Sequence, residues 1–433
     1  VRVLIIGGGP AGATAAHYLA ASGAEVTVLE KTFYPREKVC GDGLTPRAVR
    51  ELVHLGVNHD GDGWRKTRGL RLIAGGRSME LAWPSLSSFP SYGLIRTRLD
   101  FDEALALHAR SAGAKILEGH SVSAVVRDAD GRVVGATGRV LDRDGRRGET
   151  FEMRADVVLA CDGNSTRAAV SRGLPKRDDR PMGVAVRGYF ESPRHEDDWM
   201  EGWLELPDAS GRPLPGYGWV FGVGDGTVNV GLGILNSSAH FGKLDYKAVL
   251  RDWTASMPSS WEISPSTQVG EVRGAALPMG FNRTPHYVPG LFLVGDSGGM
   301  VSPFNGEGIS YAMESARFAA DVVLRGFAAG SGLARERVFE GYADIVRGEW
   351  GRHFTLGRAF AEVIGHPRVL SLALRAGMSI PVLMRFVVRM LANLTERPGT
   401  LADRVIRVLE AVVPPTSNTG GTVLSGAGQS RDG

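Results

Sequence analysis

Cysteine, lysine and long apolar runs are what this 433-residue chain has least of. Cys40 and Cys161 are too few for a disulfide framework or a cysteine-ligated iron–sulfur cluster, which excludes a built-in ferredoxin module. A reducing, cytoplasmic setting is the expectation, and no metal is expected. An apolar strand pattern starts directly at Val1, and no cleavable leader is expected. No uncharged apolar run approaches the ~20 residues of a membrane-spanning helix. Only seven of the 50 basic residues are lysine, and the 47 acidic ones bring the net charge to +3. With no dense basic block, nucleic-acid binding has no support.

Glycine is what the chain has in excess: 59 residues, about 14% against a typical ~7%. No glycine recurs at every third position, so collagen is excluded. Hydrophobic residues at 43% and charged ones at 22% exclude a disordered chain. The glycines therefore belong to a folded protein, and their positions carry the information.

The first thirty residues read as a strand, a helix and a second strand. Val1 to Ile6 is apolar, Ala11 to Ala21 is small and helical, and Glu25 to Glu30 returns to strand. Between them Gly7, Gly9 and Gly12 give the G-x-G-x-x-G spacing, with Pro10 and Ala11 completing the turn. Gly7 permits the tight turn, Gly9 lets backbone approach a pyrophosphate, and Gly12 allows close helix–strand packing. The helix N-terminus offers free N–H groups to phosphate, and Glu30 can accept from a ribose. A lone spacing of this kind is weak, but strand, helix, second strand and acid together point to a dinucleotide, NAD or FAD.

Farther on, Arg71 to Trp83, Met182 to Phe190 and Gly216 to Leu235 have strand patterning, while Leu99 to Ala112 is helical. Ala155 to Cys161 and Leu291 to Val294 are buried strands that end in Asp162-Gly163 and Gly295-Asp296. From Ser331 to Val413 the pattern is helical, and the Gly, Ser and Thr-rich tail from Pro414 reads as disordered.

Three segments narrow the nucleotide: Gly295-Asp296 running to Pro303-Phe-Asn305-Gly306-Glu307-Gly308, then Ala160-Cys-Asp162-Gly163, then Arg98-Leu-Asp-Phe-Asp102. Together they resemble the flavoprotein superfamily of aromatic hydroxylases, halogenases and prenyl reductases, which implies FAD. In that resemblance Asp296 binds the ribityl chain and the turn from Asn305 to Gly308 faces the flavin pyrimidine. Lys31, Val122, Arg98, Asp162 and Gly163 join the implied cofactor set. A strand-end carboxylate suits ribityl hydroxyls, and a glycine-rich helix start can stabilise charge on a reduced flavin.

Two more segments resemble the geranylgeranyl reductase family: Pro35-Arg-Glu-Lys38-Val-Cys40-Gly41-Asp42-Gly43-Leu44, and Tyr217-Gly-Trp219-Val-Phe221-Gly222 with Gly231-Leu-Gly233 after it. Gly222 stands where the family usually has proline, which loosens that turn. Within the family the chain is most similar to bacterial enzymes that saturate an isoprene unit of a menaquinone side chain. The implied fold is α/β: a Rossmann-type FAD-binding domain (1–70, 91–175 and 270–330) interrupted by a mainly antiparallel β substrate domain (71–90 and 176–269). A C-terminal helical region (331–413) and the tail (414–433) follow.

The implied reaction adds H2 across an isoprenoid double bond. An isolated alkene needs a hydride source at one carbon and a proton donor at the other. Cys40 is the candidate donor, a thiol being mostly protonated at neutral pH, although a small residue packed under the flavin fits the same position. Cys40, Gly41 and Asp42 also belong to the implied cofactor loop. Tyr217, Trp219 and Phe221 alternate and so share one strand face. There they wall an apolar groove for a prenyl chain or form ordinary sheet core, with Gly231 and Gly233 leaving room on the same face. Tyr217 and Trp219 join Cys40 as candidate catalytic residues.

The stretch 363–395 carries Arg368, Arg375, Arg385 and Arg389 and no acid among apolar residues. It reads as a membrane-surface patch or as an amphipathic cap on the core. No second nucleotide motif is present, so NADPH or a ferredoxin is the expected electron donor. Two other functions fit less well: an FAD monooxygenase of an aromatic or polyketide substrate, and a non-catalytic prenyl carrier. A halogenase is disfavoured because its Trp-x-Trp-x-Ile-Pro segment is missing.

Overall fold

The computed structural model describes residues 1–207, 213–214, 216–236, 241–242, 244–364, 374, 376–396 and 399–416. Arg2–Ile6 is central in a six-stranded sheet, parallel to Glu25–Leu29 on one side and to Val157–Ala160 on the other. Lys115–Leu117 and Leu291–Leu293 extend the parallel order outward, and Tyr287–Val288 adds an antiparallel edge. A parallel strand covered on both faces has no polar side, which is why Arg2–Ile6 reads as continuous apolar sequence. Its alternation is still visible in the packing. Val3 and Ile5 enter the core under helices Pro10–Ala21 and Ile309–Ala328, whereas Leu4 and Ile6 pack on the opposite side. That opposite side is covered by an antiparallel meander, His120–Arg127, Val133–Leu141 and Arg147–Arg154.

The second sheet has seven strands in the order Gln268–Pro278, Met182–Glu191, Thr227–Leu235, Gly216–Gly222, Trp199–Trp203, Gly69–Ala74 and Arg77–Ala82. Every pair is antiparallel except Trp199–Trp203 with Gly69–Ala74. Period-2 alternation splits its two faces. Even-numbered Val186, Val220, Val230 and Leu232 pack with Trp253 of helix Tyr246–Ala255. Odd-numbered residues of Met182–Glu191, Gly216–Gly222 and Thr227–Leu235 point the other way, and Trp219 and Phe221 reach the turn at Cys40 to Gly43.

The C-terminal region is helical, with helices Leu333–Ile364, Pro381–Leu391 and Leu401–Val412 among the described residues. It is held to the nucleotide half by buried charge: Arg47 donates to the Asn393 carbonyl at 2.8 Å and to Glu314 at 2.7 Å. The tail departs from expectation where it is described. Pro414 to Thr416 return to the body, and Thr416 is buried with its N–H on the Gly351 carbonyl at 3.0 Å. A buried hydroxyl needs partners, and Gly351 and Arg358 supply them. Residues 417–433 of the expected tail lie outside the described residues.

Candidate active site

The phosphate turn is a cradle of backbone. Gly7 sits at φ +97°, and a β-carbon at Gly12 would stand 1.8 Å from the Gly7 carbonyl oxygen. No side chain caps helix Pro10–Ala21, and its first turn has no acid, so its N–H groups are free for an anion. Arg36 lies beside Gly9 and is held at 2.8 Å by Asp102, which also takes two hydrogen bonds from Arg98. Two arginines fixed by one buried carboxylate next to an uncapped helix start fit a pyrophosphate.

Glu30 is turned inward. One oxygen accepts from Gly8 N–H at 2.8 Å and the other from Thr32 N–H and Thr32 hydroxyl, and Tyr34 donates to the Gly8 carbonyl. The sequence pattern offers Glu30 to a ribose; the fold uses it to brace the glycine turn as well. Lys31 is exposed next to it. Val122 is buried in the meander against Leu4 and Ile6. Asp162 caps helix Arg167–Ser171 with one oxygen, accepting from Arg167 N–H at 2.7 Å, while its other oxygen is buried with no partner. That orphaned oxygen, beside Gly163 at φ +76°, fits a cofactor hydroxyl.

On the far side of the cradle Gly295 and Asp296 form a short turn that faces the start of helix Ile309–Ala328. Asp296 Oδ1 lies against Gly308, the uncapped N-terminal residue of that helix, and Lys38 carries its charge nearby. Pro303 is buried, and the turn through Asn305 and Gly306 is closed by Glu307 N–H on Asn305 Oδ1 at 3.1 Å. A carboxylate, an ammonium and a free helix N-terminus around one glycine-rich turn suit the ribityl chain and polar edge of a flavin.

The odd face of the seven-stranded sheet closes this site. Cross-strand register ranks Tyr217 opposite Gly233, Trp219 opposite Gly231 and Phe221 opposite Asn229. The next strand adds Ala185, Arg187 and Tyr189 to those three ranks. Tyr217 donates to the Asn305 carbonyl at 2.7 Å, tying the sheet to the flavin-facing turn. Trp219 and Phe221 lie on Gly41, whose β-carbon would be 3.2 Å from the indole nitrogen. The space at Gly231 is taken by the Trp219 ring, 2.2 Å from where a β-carbon would stand. That corrects the expectation of open room at Gly231: the missing side chain seats an indole, and through it a wall. Gly233 keeps ordinary contact distance to Tyr217. Gly222 approaches the backbone carbonyls of Arg194, His195 and Asp197, where a β-carbon would be 2.6 Å from the nearest.

Cys40 is half-buried beside the Arg98 guanidinium. Burial pushes its thiol pKa up and Arg98 pulls it back, with the upward effect larger. The thiol therefore holds its proton at neutral pH. Cys161 lies in the core of the six-stranded sheet, as its apolar strand implies.

Two residues of the site have no local signature. Tyr189 and Asn229 donate to Asp42, and Asn229 also receives the Trp219 indole N–H at 2.8 Å. Glu307 accepts from Thr45 at 2.6 Å through one oxygen and has a buried, unpartnered second oxygen. Only the cross-strand register could have found Tyr189 and Asn229.

The chain matches the FAD binding domain family over residues 1–335. It is 34% identical over 394 residues to a menaquinone reductase of Mycobacterium tuberculosis, covering 90% of this chain and 91% of that protein. It belongs to the geranylgeranyl reductase family of flavoproteins. A second relative in this family, digeranylgeranylglycerophospholipid reductase 1 of Methanothermobacter thermautotrophicus, is 29% identical over 345 residues, 77% of this chain and 80% of its own length. In fold, the chain superposes on the crystal structure of a geranylgeranyl bacteriochlorophyll reductase-like protein from Thermoplasma acidophilum. The TM-score is 0.75 at 22% identity, over 94% of this chain and 98% of that one. As a family member the chain is an FAD-dependent oxidoreductase, and the glycine cradle, Asp162, Asp296 and the turn from Asn305 to Gly308 are the residues that would hold the cofactor.

Proposed function

We propose that this flavoprotein saturates an isoprenoid carbon–carbon double bond in the prenyl side chain of a menaquinone. The reading is carried by one arrangement: the aromatic column of Tyr217, Trp219 and Phe221 lies directly on the Cys40–Gly43 turn and reaches the flavin-facing turn at Asn305. Held by the glycine cradle, Asp162, Asp296 and the turn from Asn305 to Gly308, reduced FAD would supply the hydride to one alkene carbon. Cys40, kept protonated by burial, gives its proton to the other carbon and is reprotonated from solvent. Arg98 beside the sulfur supports the thiolate left behind. Trp219, 5% exposed, and Phe221 present apolar surface to the chain and keep water from the reacting carbons. NADPH or a ferredoxin would supply the electrons that reduce the bound flavin.

A lipid substrate needs a route from its bilayer. Among the described residues no helix is long and apolar enough to cross a membrane. Of the stretch 363–395, residues 365–373 and 375 lie outside the described residues, Arg368 and Arg375 among them. Arg389 is paired with Asp403 at 2.6 Å, so it is no free surface charge. Ile380, Val382 and Leu383 are exposed at the start of helix Pro381–Leu391. Helix Leu401–Val412 packs beside it through Ile406 against Met390 and exposes Leu401, Val405, Val408 and Val412 on one face. The exposed charges on these two helices, Arg385 and Arg404, are both positive. We infer that this face rests on an anionic phospholipid surface.

The substrate is tested by anaerobic reduction of the FAD-loaded protein, followed by mass analysis with menaquinone, geranylgeranyl diphosphate and a prenylated phospholipid. Menaquinone is expected to gain two mass units. Saturation of the diphosphate or phospholipid alone reassigns the substrate, and saturation of none overturns the proposal.

A further inference from the structure

Asp42 is completely buried, and its backbone adopts φ +63°, a left-handed conformation that aspartate tolerates better than most residues. Everything around its carboxylate donates. Tyr189 hydroxyl and Asn229 Nδ2 meet Oδ2, the latter at 2.7 Å, and the Arg98 N–H meets Oδ1 at 3.1 Å. The orientation of Asn229 is settled by the indole of Trp219, which can only donate and does so to Asn229 Oδ1. Asn229 Nδ2 is thereby aimed at Asp42 and at the Cys40 carbonyl, 3.0 Å away. One amide thus joins the candidate proton donor's turn, a buried carboxylate and the central aromatic wall.

We propose that Asp42, Asn229 and Tyr189 form a positioning unit that sets the Cys40 turn and the Trp219 indole against one another, and that this unit works only with Asp42 ionised. The proposal rests on the prenyl-reductase reading for its effect on turnover, but not for its structural content. A protonated Asp42 would carry a donor among groups that donate; of these only the Tyr189 hydroxyl can turn to accept it, so that bond reverses and the charge that strengthens the Asn229 bond is lost. Other charged groups near Asp42 are the Arg98 guanidinium, held by Asp102, and Arg187. Arg187 stacks on Tyr189 at 4.4 Å and pairs with Glu37. Cys40 is the remaining titratable neighbour. Burial pushes the Asp42 pKa up to about 6, with the Tyr189 and Asn229 hydrogen bonds opposing it. Turnover should therefore fall as pH drops through that value.

The test compares Asp42→Asn, Asn229→Leu and Tyr189→Phe with the unchanged FAD-loaded protein. Two readouts are used: the pH profile of menaquinone saturation and the rate of Cys40 alkylation. Tyr189→Phe removes a donor that favours the carboxylate, so its acidic limb should move to higher pH. Asp42→Asn should lose that limb and run about tenfold slower, and adding Asn229→Leu should cost little more, because one unit is broken once. Cys40 should be alkylated several-fold faster in both. An unmoved limb in Tyr189→Phe together with unchanged Cys40 alkylation in Asp42→Asn would overturn the positioning unit. Faster alkylation in the variants, with no menaquinone product even from the unchanged protein, keeps the unit and removes the prenyl reading instead.

Discussion

In the turn from Gly7 to Gly12 the working groups are backbone N–H groups, and what matters is that side chains are missing. On the odd face of the seven-stranded sheet the working groups are side chains, and the backbone only ranks them across three strands. The first design is local, set within six residues. The second is assembled from segments far apart in sequence. A glycine does opposite work in each: Gly12 brings backbone to backbone, and Gly231 gives the Trp219 indole a seat.

The largest effect is expected where backbone leaves no way to relax. Gly12→Val places a side chain on the Gly7 carbonyl, and overpacking of this kind costs roughly 1–3 kcal/mol or more. FAD content, read from the flavin band of the purified protein, should fall to about a tenth or less. If Gly12→Val binds FAD normally, the cradle is misassigned. Gly231→Val pushes first on the Trp219 ring, and also on the Val186 carbonyl, which a β-carbon would meet at 2.6 Å. FAD should stay bound while menaquinone saturation drops roughly 10- to 100-fold, the rate equivalent of a 1–3 kcal/mol displacement. Equal loss of FAD from both variants would erase the contrast between the two regions.

Two buried groups on either side of the site should answer acid with opposite sign. His286 is buried beneath the Gly295 turn, and burial lowers its pKa to about 4. The unfolded chain takes up that proton near pH 6.5 and the native one does not, so stability falls as pH drops from 6.5 toward 4. Asp42 runs the other way. Its native pKa near 6 lies above the ordinary 3.8, so the native state protonates first and gains stability between pH 6 and 4. Each window is worth about 3 kcal/mol at most. Thermal melts from about pH 7 to 4.5 check this. The Tm advantage of the unchanged protein over His286→Gln should shrink on acidification, and its advantage over Asp42→Asn should grow.

The smallest effect on catalysis itself is expected at the C-terminal helices. Val405→Asp with Val408→Asp should leave turnover of detergent-dispersed substrate within about twofold, since exposed substitutions rarely matter to the fold. The pair should abolish flotation with vesicles containing anionic phospholipid. Unchanged flotation would remove the membrane face from the account.

How much of this could be read beforehand follows the same division. Gly7, Gly9 and Gly12 were legible because turn geometry and helix start are written in adjacent residues. The shared face of Tyr217, Trp219 and Phe221 was legible because strand periodicity is strictly two. Tyr189 and Asn229 were not, since their place beside Asp42 depends on register between strands that no spacing reveals. Glu30 was found, but its inward bonds to Gly8 and Thr32 depend on a loop fold that lies after the motif. Helix Leu401–Val412 reads only as part of a helical stretch, and packing alone shows that its aliphatic face is left outside.

The central claim is that reduced flavin in this site delivers its electrons to a prenyl double bond. A single-turnover experiment tests it most directly: the FAD-loaded protein is reduced without oxygen, mixed with menaquinone, and followed by flavin absorbance and product mass together. Flavin reoxidation in step with a product two mass units heavier is the expected result. A flavin that stays reduced until oxygen is admitted, with oxygenated product appearing only then, would contradict the claim and make the protein a monooxygenase.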